Sequence, residues 1–255
     1  MTFHFFTLAI LIFSPACDHQ NTNKKANDNS LSQEVAAKIE KAAISHEDFN
    51  NLLQKHVSAE GIVNYKDFKA DEKTLDKYLK SLSVEIPGNS WTRESSLAYW
   101  INTYNAFTIK LILKNYPIKS ITDLDGGKPW DVAWIELGGK KYSLNNIEND
   151  IIRPQFKDAR IHFALNCAAK SCPPLHNVAF TSSNINLLFE SRAKHFINSS
   201  ANEIKTDSVK ISKLFDWYKE DFGNPITFLN KYSSISINSG AKIGYQNYDW
   251  SLNGK

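Results

Sequence analysis

The sequence predicts a helix-rich α+β fold with a small mixed or antiparallel sheet and β-hairpins. Two patterns indicate this class: long segments with apolar residues at helical spacing, and short apolar runs on either side of tight turns. Strands and helices do not alternate regularly, which argues against a parallel βαβ architecture. With 42% hydrophobic and 12% aromatic residues, the chain has enough apolar surface for a packed core.

The strongest predicted helix covers Arg93–Asn115, where apolar residues lie on nearly all sides and Pro117 follows. Such a helix is expected to be central and buried. Asn224 followed by Pro225 predicts a capped helix start near the C-terminus. The same periodicity predicts further helices over residues 35–43, 49–57, 75–82, 185–197 and 214–222.

Two hairpins are predicted, one around Gly138-Gly139 and one around Asp207-Ser208. Residues 160–167 alternate apolar and polar side chains, which predicts a strand. Asn145 with Glu148 three positions later resembles a capping box, opening a short helix that ends at Arg153 before a proline. Residues 248–253 are expected to be extended.

The N-terminus predicts export. Residues 5–13 are apolar but too few to span a bilayer, for which about 20 residues are needed. They precede Ser14-Pro15-Ala16-Cys17, which resembles a lipoprotein cleavage site, so Cys17 is the candidate lipidated residue. We expect a signal peptide over 1–17, a polar tether over 18–30 and one globular domain over 31–255, anchored to a membrane and facing the periplasm or cell surface.

Other interpretations of the N-terminus are a plain secretory signal and a misassigned start, because residues 1–4 lack the usual positive charge. The net charge of +3 is spread along the chain. A nucleic-acid-binding surface would need a clustered basic patch, so we expect no nucleic-acid partner. We also expect no cofactor.

The candidate chemistry lies between residues 161 and 175. Strand alternation would place Cys167 on the core face as a small buried hydrophobe, and His162 and Asn166 together on the opposite face. Cys172 follows Ser171, a plausible helix cap. A thiol at a helix start near Lys170 would have its thiolate favoured. Cys172 is therefore the candidate nucleophile and His162 the candidate base, with Asn166, Asn102 or Glu148 to orient the imidazole.

Alternatives remain open for these residues. Cys172 could be an inert loop cysteine, or Cys167 and Cys172 could form a disulfide. Metal binding by His162 and the two cysteines is disfavoured, since the spacing does not match a close cysteine pair, so we expect no metal.

A second group of polar residues is a candidate binding set. Asn102 and Asn105 share one face of the long helix, so they either fix nearby loop backbone or line the site. Glu148 and Arg153 either serve their own helix or form an ion pair near the site. The six tryptophans, Trp100 among them, either belong to the core or line a groove.

Five stretches resemble the family called domain of unknown function 547. They are Gly61-Ile-Val-Asn-Tyr65, Trp100-Ile-Asn-Thr-Tyr-Asn-Ala106, Asn146-Ile-Glu148 with Ile152-Arg153, His162-Phe-Ala-Leu-Asn-Cys-Ala168 with Ser171-Cys-Pro-Pro-Leu175, and Tyr248-Asp-Trp-Ser-Leu-Asn253. The resemblance implies a bacterial domain that is often exported, and it implies no established activity.

Three functions are consistent with these patterns. The first is a cysteine-dependent hydrolase or acyl-transfer enzyme acting on an envelope peptide, amide or ester. The second is a non-catalytic lipoprotein module that binds peptide or glycan. The third is a thiol redox protein, although its two cysteines stand four residues apart instead of the usual two.

Overall fold

A long buried helix organises the domain in this computed structural model, which describes residues 44–254. The helix spans Arg93–Asn115, as predicted, and 17 of its 23 residues are buried. Thr92 caps it by accepting a hydrogen bond from the Ser95 backbone N–H. The predictions for residues 1–17, the 18–30 tether, Cys17 and the helix over 35–43 lie outside the described residues.

The α-helices are, in chain order, α1 Glu47–His56, α2 Tyr65–Phe68, α3 Glu72–Val84, α4 Arg93–Asn115, α5 Arg153–Phe156, α6 Ile185–Ile197, α7 Leu214–Trp217, α8 Lys219–Phe222 and α9 Pro225–Leu229. Single turns of 3₁₀-helix cover Lys69–Asp71, Ile121–Asp123, Asp125–Gly127 and Pro129–Asp131, and a longer one covers Ala159–Phe163. A π-helix, Asn146–Ile152, runs directly into α5. None of these helices in the described chain is long and apolar enough to cross a membrane.

Both predicted hairpins are confirmed. Strands β1 (Ile135–Leu137) and β2 (Lys140–Tyr142) pair antiparallel around the glycine turn. Strands β3 (Glu203–Ile204) and β4 (Ser208–Ile211) also pair antiparallel, and β5 (Lys242–Tyr245) adds to β4 in parallel, with Val209 opposite Ile243. The result is the predicted α+β domain with a small mixed sheet.

The predicted strand over residues 160–167 is wrong. Ala159–Phe163 is a 3₁₀-helix, and Asp158 caps its start by accepting a hydrogen bond from the Arg160 N–H. The predicted cap at Asn145 is also wrong, because its side chain donates to Asp131 at 2.5 Å instead of capping the π-helix. The strand argument for separate faces of His162 and Cys167 therefore does not apply.

Two hydrophobic clusters form the core. The larger surrounds α4, and the smaller contains Phe163, Phe215 and Phe222 with the C-terminal helices and sheet. Leu165 belongs to the first cluster and Leu214 to the second, and both side chains line one cavity. The candidate site is thus placed where the two clusters meet.

Candidate functional site

The segment 164–174, here called the cysteine loop, is held by side-chain amides in place of strand partners. Asn105 on α4 donates from Nδ2 to the Ala164 carbonyl at 2.9 Å, and its Oδ1 accepts from the Asn166 N–H at 2.9 Å. Asn105 is 2% exposed. One buried amide therefore satisfies both a backbone donor and a backbone acceptor, which would otherwise cost stability.

Asn166 continues the same support within the loop. Its Nδ2 donates to the Pro173 carbonyl at 2.9 Å, and its Oδ1 accepts from the Ala168 N–H at 3.0 Å. Asn253 also donates to Asn166 Oδ1, at 3.1 Å, and its own Oδ1 accepts from the Tyr65 hydroxyl. Asn166 therefore shapes the loop, and it does not orient the imidazole of His162.

Asn102 holds the backbone at Phe180 in the same way that Asn105 holds the backbone of the cysteine loop. It donates to the Phe180 carbonyl at 2.7 Å and accepts from the Phe180 N–H at 3.0 Å. Of the two interpretations of this asparagine pair, the structure supports the fixing of loop backbone. Each of the two amides donates one hydrogen bond to loop backbone and accepts one from it.

The cysteine loop borders a cavity of about 200 Å³. Ala168 has a left-handed φ of 61°, a conformation that costs a non-glycine residue energy and often occurs at functional sites. This turn follows Cys167, whose side chain faces the cavity. The lining residues are Tyr104, Trp130, Asn145, Glu148, His162, Leu165, Cys167, Cys172, Leu214, Trp217, Tyr218, Tyr248 and Trp250.

Cys167 is half-buried, not the buried hydrophobe that strand alternation predicted. Its Sγ lies 3.3 Å from the Tyr248 hydroxyl. A hydrogen bond from the Cys172 thiol, aided by the one from Tyr248, holds the pKa of Cys167 below its ordinary value despite partial burial. Cys167 is therefore the thiol with the greater thiolate character.

Cys172 has the opposite surroundings. It is 7% exposed, and burial raises the pKa of its thiol well above the ordinary value. Its Sγ accepts from the Cys167 N–H at 3.0 Å and lies 3.7 Å from the Leu165 carbonyl oxygen. Both thiols are free, so the disulfide interpretation does not describe this state.

The predicted helix start at Cys172 is wrong. Residues 172–176 are not helical. The Ser171 hydroxyl, which was expected to cap a helix there, instead accepts from the Asp249 N–H at 2.9 Å. No helix dipole acts on Cys172. The Lys170 Nζ lies 3.6 Å from Asp249 Oδ2 in an exposed ion pair, so its charge is paired with a carboxylate. The two features that favoured a reactive Cys172 are therefore absent.

His162 lines the cavity from the 3₁₀-helix and is 2% exposed. Its Nε2 lies 2.7 Å from Asp221 Oδ2, and its ring packs on Tyr218 with centroids 3.9 Å apart. Asp221, on α8, is the residue that orients the imidazole. Sequence reasoning missed it, since 59 residues separate the pair and no motif surrounds Asp221.

Arg153 completes this polar group. It donates from Nε and Nη2 to the two oxygens of Asp221, at 2.6 and 3.1 Å. Hydrogen bonds from His162 and then Arg153 hold the pKa of Asp221 well below its ordinary range. Arg153 is thus an ion-pair partner near the site, but it pairs with Asp221 and not with Glu148.

Glu148 lies on the π-helix, 5% exposed, and lines the cavity. Its side chain accepts a hydrogen bond from Tyr218, and burial raises the pKa of that tyrosine. Single π-helical turns are rare and frequently occur at functional sites. Glu148 is therefore brought to the site as predicted, although it does not contact the histidine.

The tryptophans divide into two groups. Trp100 is 6% exposed and packs against Tyr99 and Tyr142, away from the cavity. Trp91 and Trp134 pack against the larger core cluster. Trp130, Trp217 and Trp250 line the cavity, and Trp217 stacks on Trp250 with centroids 5.8 Å apart.

Within residues 44–254, no group of three or more histidine, cysteine or carboxylate side chains is arranged to hold a metal ion. The arrangement can present one thiolate to a small cavity next to a histidine–aspartate pair and a buried carboxylate. That combination is the set of groups used in nucleophilic catalysis by cysteine.

Comparison with known families gives one match. The family model described as "Protein of unknown function, DUF547" matches residues 88–197, which include α4, the π-helix and the cysteine loop. This supports the family resemblance drawn from the sequence; the stretches at 61–65 and 248–253 lie outside the matched residues. No curated protein and no solved structure matches the chain significantly.

Proposed function

We propose that this chain, whose residues 88–197 match the DUF547 family model, is a cysteine-dependent enzyme of acyl transfer or hydrolysis. Cys167 is the nucleophile in this proposal, in place of Cys172. The observation that carries it is the contrast between the two thiols. Both thiols border the cavity, but Cys167 is half-buried with its Sγ 3.3 Å from the Tyr248 hydroxyl, whereas Cys172 is 7% exposed and its Sγ accepts from the Cys167 N–H.

The surroundings of Cys167 support thiolate chemistry. Donors from Cys172 and Tyr248 stabilise the charged form, which is the form that attacks a carbonyl carbon. Attack would form a thioester and release the amine or alcohol, with His162 as the candidate proton donor to that group. Water activated by the neutral imidazole would then hydrolyse the thioester, returning the acid and the Cys167 thiolate.

His162 is suited to the proton transfers because Asp221 fixes its ring. In cysteine and serine enzymes a carboxylate or amide oriented in this way sets the tautomer and stabilises the imidazolium. Here Asp221 is itself held by Arg153, so the imidazole is fixed by a chain of two contacts. Asp221 is a positioning residue in this proposal.

A cell-envelope location is part of the same proposal. It rests on the apolar run at residues 5–13 and on Ala16-Cys17, where lipid attachment would tether the enzyme to a membrane. An envelope peptide, amide or ester is then the expected substrate class. This part is tested separately in bacterial cells that express the chain and are grown with a radioactive fatty acid. Incorporation of the label into the unchanged chain is compared with incorporation into Cys17→Ser.

The central test is the rate of alkylation by iodoacetamide across pH, in the purified chain carrying Cys17→Ser. We expect labelling at Cys167, located by peptide mass, with a midpoint below the ordinary thiol value of about 8.5. Cys167→Ala should slow labelling about tenfold or more. Cys172→Ser, which keeps a hydroxyl donor, should preserve the low midpoint, whereas Cys172→Ala should raise it.

Two outcomes would contradict the proposal. Preferential labelling of Cys172 would restore it as the candidate nucleophile, and slow labelling of both thiols would favour a non-catalytic binding module. The redox alternative is favoured by one contact, the 3.0 Å approach of Cys167 N to Cys172 Sγ. Rapid formation of a Cys167–Cys172 disulfide in mild oxidant, reversed by a dithiol, would select that alternative instead.

A further inference from the structure

Glu148 is a buried carboxylate without a cationic partner. Ion pairs within 4.0 Å in the described chain do not include it, and the nearby Arg153 is committed to Asp221. The neutral Tyr218 hydroxyl is a hydrogen-bond partner of its side chain, which contributes to the raised pKa of that tyrosine. A buried charge costs several kcal/mol unless it is paired, so a cationic ligand in the cavity would stabilise the Glu148 carboxylate.

The cavity around Glu148 is walled by aromatic rings. Tyr248 lies 4.8 Å from Trp217 and 4.6 Å from Trp250 between ring centroids, and Trp130 lies 5.5 Å from Trp250. Trp217 is 47% exposed, so this cluster reaches the surface. Faces of tryptophan and tyrosine attract organic cations, most strongly where water is excluded.

The remaining lining indicates the shape of the cation. Leu165 and Leu214 offer apolar contact for an alkyl stem, as a lysine side chain provides. The cavity of about 200 Å³ has room for a short alkylammonium chain but not for a whole peptide.

We infer that the acyl substrate carries an alkylammonium group, which enters the aromatic-walled cavity and pairs with Glu148. This inference names the substrate class of the proposed enzyme and rests on that proposal. Within it, Glu148 and the tryptophans bind the ammonium group, and Cys167 faces the reacting acyl carbon. Selection of the substrate is then electrostatic at one end of the cavity and nucleophilic at the other.

The test measures binding without turnover, in the full chain carrying Cys167→Ala. The probes are Nα-acetyl-lysine methylamide and the neutral Nα-acetyl-norleucine methylamide, which has a similar stem and no charge. Calorimetry and tryptophan fluorescence report the affinity. We expect the lysine probe to bind about tenfold tighter or more, and Glu148→Gln to abolish that difference, because the neutral amide cannot pair with the ammonium charge.

Glu136→Gln is the matched control, because Glu136 is an exposed carboxylate on β1 and should leave the binding unchanged. A melting curve establishes that Glu148→Gln is folded. Should that variant not fold, Trp217→Ala provides the second test, since Trp217 lies at the surface and its loss should weaken lysine-probe binding severalfold.

Equal binding of the two probes would overturn the inference. So would unchanged discrimination in Glu148→Gln, or tighter binding of an arginine analogue, which would identify a guanidinium ligand instead. The two proposals fail separately. Selective lysine-probe binding together with slow thiol labelling would remove the enzyme proposal and leave a binding site for ammonium ligands.

Discussion

The two sides of the cysteine loop are both buried and polar, but they use their polar groups differently. On the α4 side, Asn105 and Asn166 use their amides mainly to hold loop backbone, and Asn166 also accepts from the Asn253 side chain. On the cavity side, Cys167, Glu148 and His162 face open space. The contrast suggests that the first side fixes the loop so that the second can present reactive groups. Substitutions on the first side should therefore lower stability, and those on the second should change chemistry with less effect on stability.

The largest stability loss is expected from Gly61→Ala. Gly61 has φ +82°, and an added Cβ would clash with the Pro174 side chain and lie 2.9 Å from the Leu175 carbonyl oxygen. The left-handed backbone costs alanine about 1–2 kcal/mol, and the overlap adds about 1–3 kcal/mol. We expect the free energy of unfolding to fall by about 2–5 kcal/mol in urea denaturation.

Gly88→Ala is the control for Gly61→Ala. A Cβ at Gly88 would meet no other part of the described chain within 4 Å, and its φ is not positive. We expect its stability to stay within about 1 kcal/mol of the unchanged chain. If both alanine variants were equally stable, the close packing of Gly61 on the loop would not support the fold.

A smaller loss of unfolding free energy is expected from Asn105→Ala. The change leaves the Ala164 carbonyl and the Asn166 N–H without their partner, at about 1–3 kcal/mol for each buried group, less where water enters. We expect a loss of about 2–4 kcal/mol. Faster labelling of Cys172 should accompany it, because the loop that buries this thiol is released.

Asn115→Ala on the same helix is the comparison for Asn105→Ala. Asn115 is half-buried, and its side chain donates one hydrogen bond, to the Leu111 carbonyl within α4. Its loss should cost less than about 1 kcal/mol and leave thiol labelling unchanged. An Asn105→Ala variant with normal stability and slow Cys172 labelling would break the distinction between the two sides.

The elements set by local sequence were predicted well. Periodicity with the following Pro117 predicted the bounds of α4, and turn residues predicted both hairpins. Residues 160–167 show the limit of this reasoning. Ile161, Phe163 and Leu165 are buried as expected of a core face, but His162 and Asn166 are buried too, so burial does not alternate along the segment. Their backbone nevertheless forms a 3₁₀-helix and a loop, because Asn105, 59 residues from Ala164, supplies partners that no neighbouring strand provides.

The candidate site was predicted in part for the same reason. His162, Glu148 and both cysteines were found because they stand in unusual local patterns, and the structure brings them to one cavity. Their predicted roles depended on a strand and a helix start that the described chain does not form, so the proposal assigns the nucleophile to Cys167 in place of Cys172. Asp221 carries no local pattern at all. Tyr248 could have been found, since it belongs to one of the five family-like stretches and contacts Cys167.

The smallest stability effect, and a pH-dependent one, is expected from Asp221→Asn. The folded pKa of Asp221 lies below the unfolded value of about 3.9, so its contribution is present above that value. It is lost as the pH falls toward the folded pKa. We expect Asp221→Asn to lower stability by about 1 kcal/mol at pH 7, since the pair is only partly buried, and the difference to shrink below pH 4.

Asp216→Asn, which changes an exposed carboxylate paired with Lys213, should show almost no such difference at either pH. The informative measurement is turnover, or Cys167 labelling, in the same two variants. A cavity-side residue that positions His162 should alter the pH profile of the chemistry far more than it alters stability. A stability loss without any change in that profile would place Asp221 with the supporting asparagines, and the two sides of the loop would no longer differ in kind.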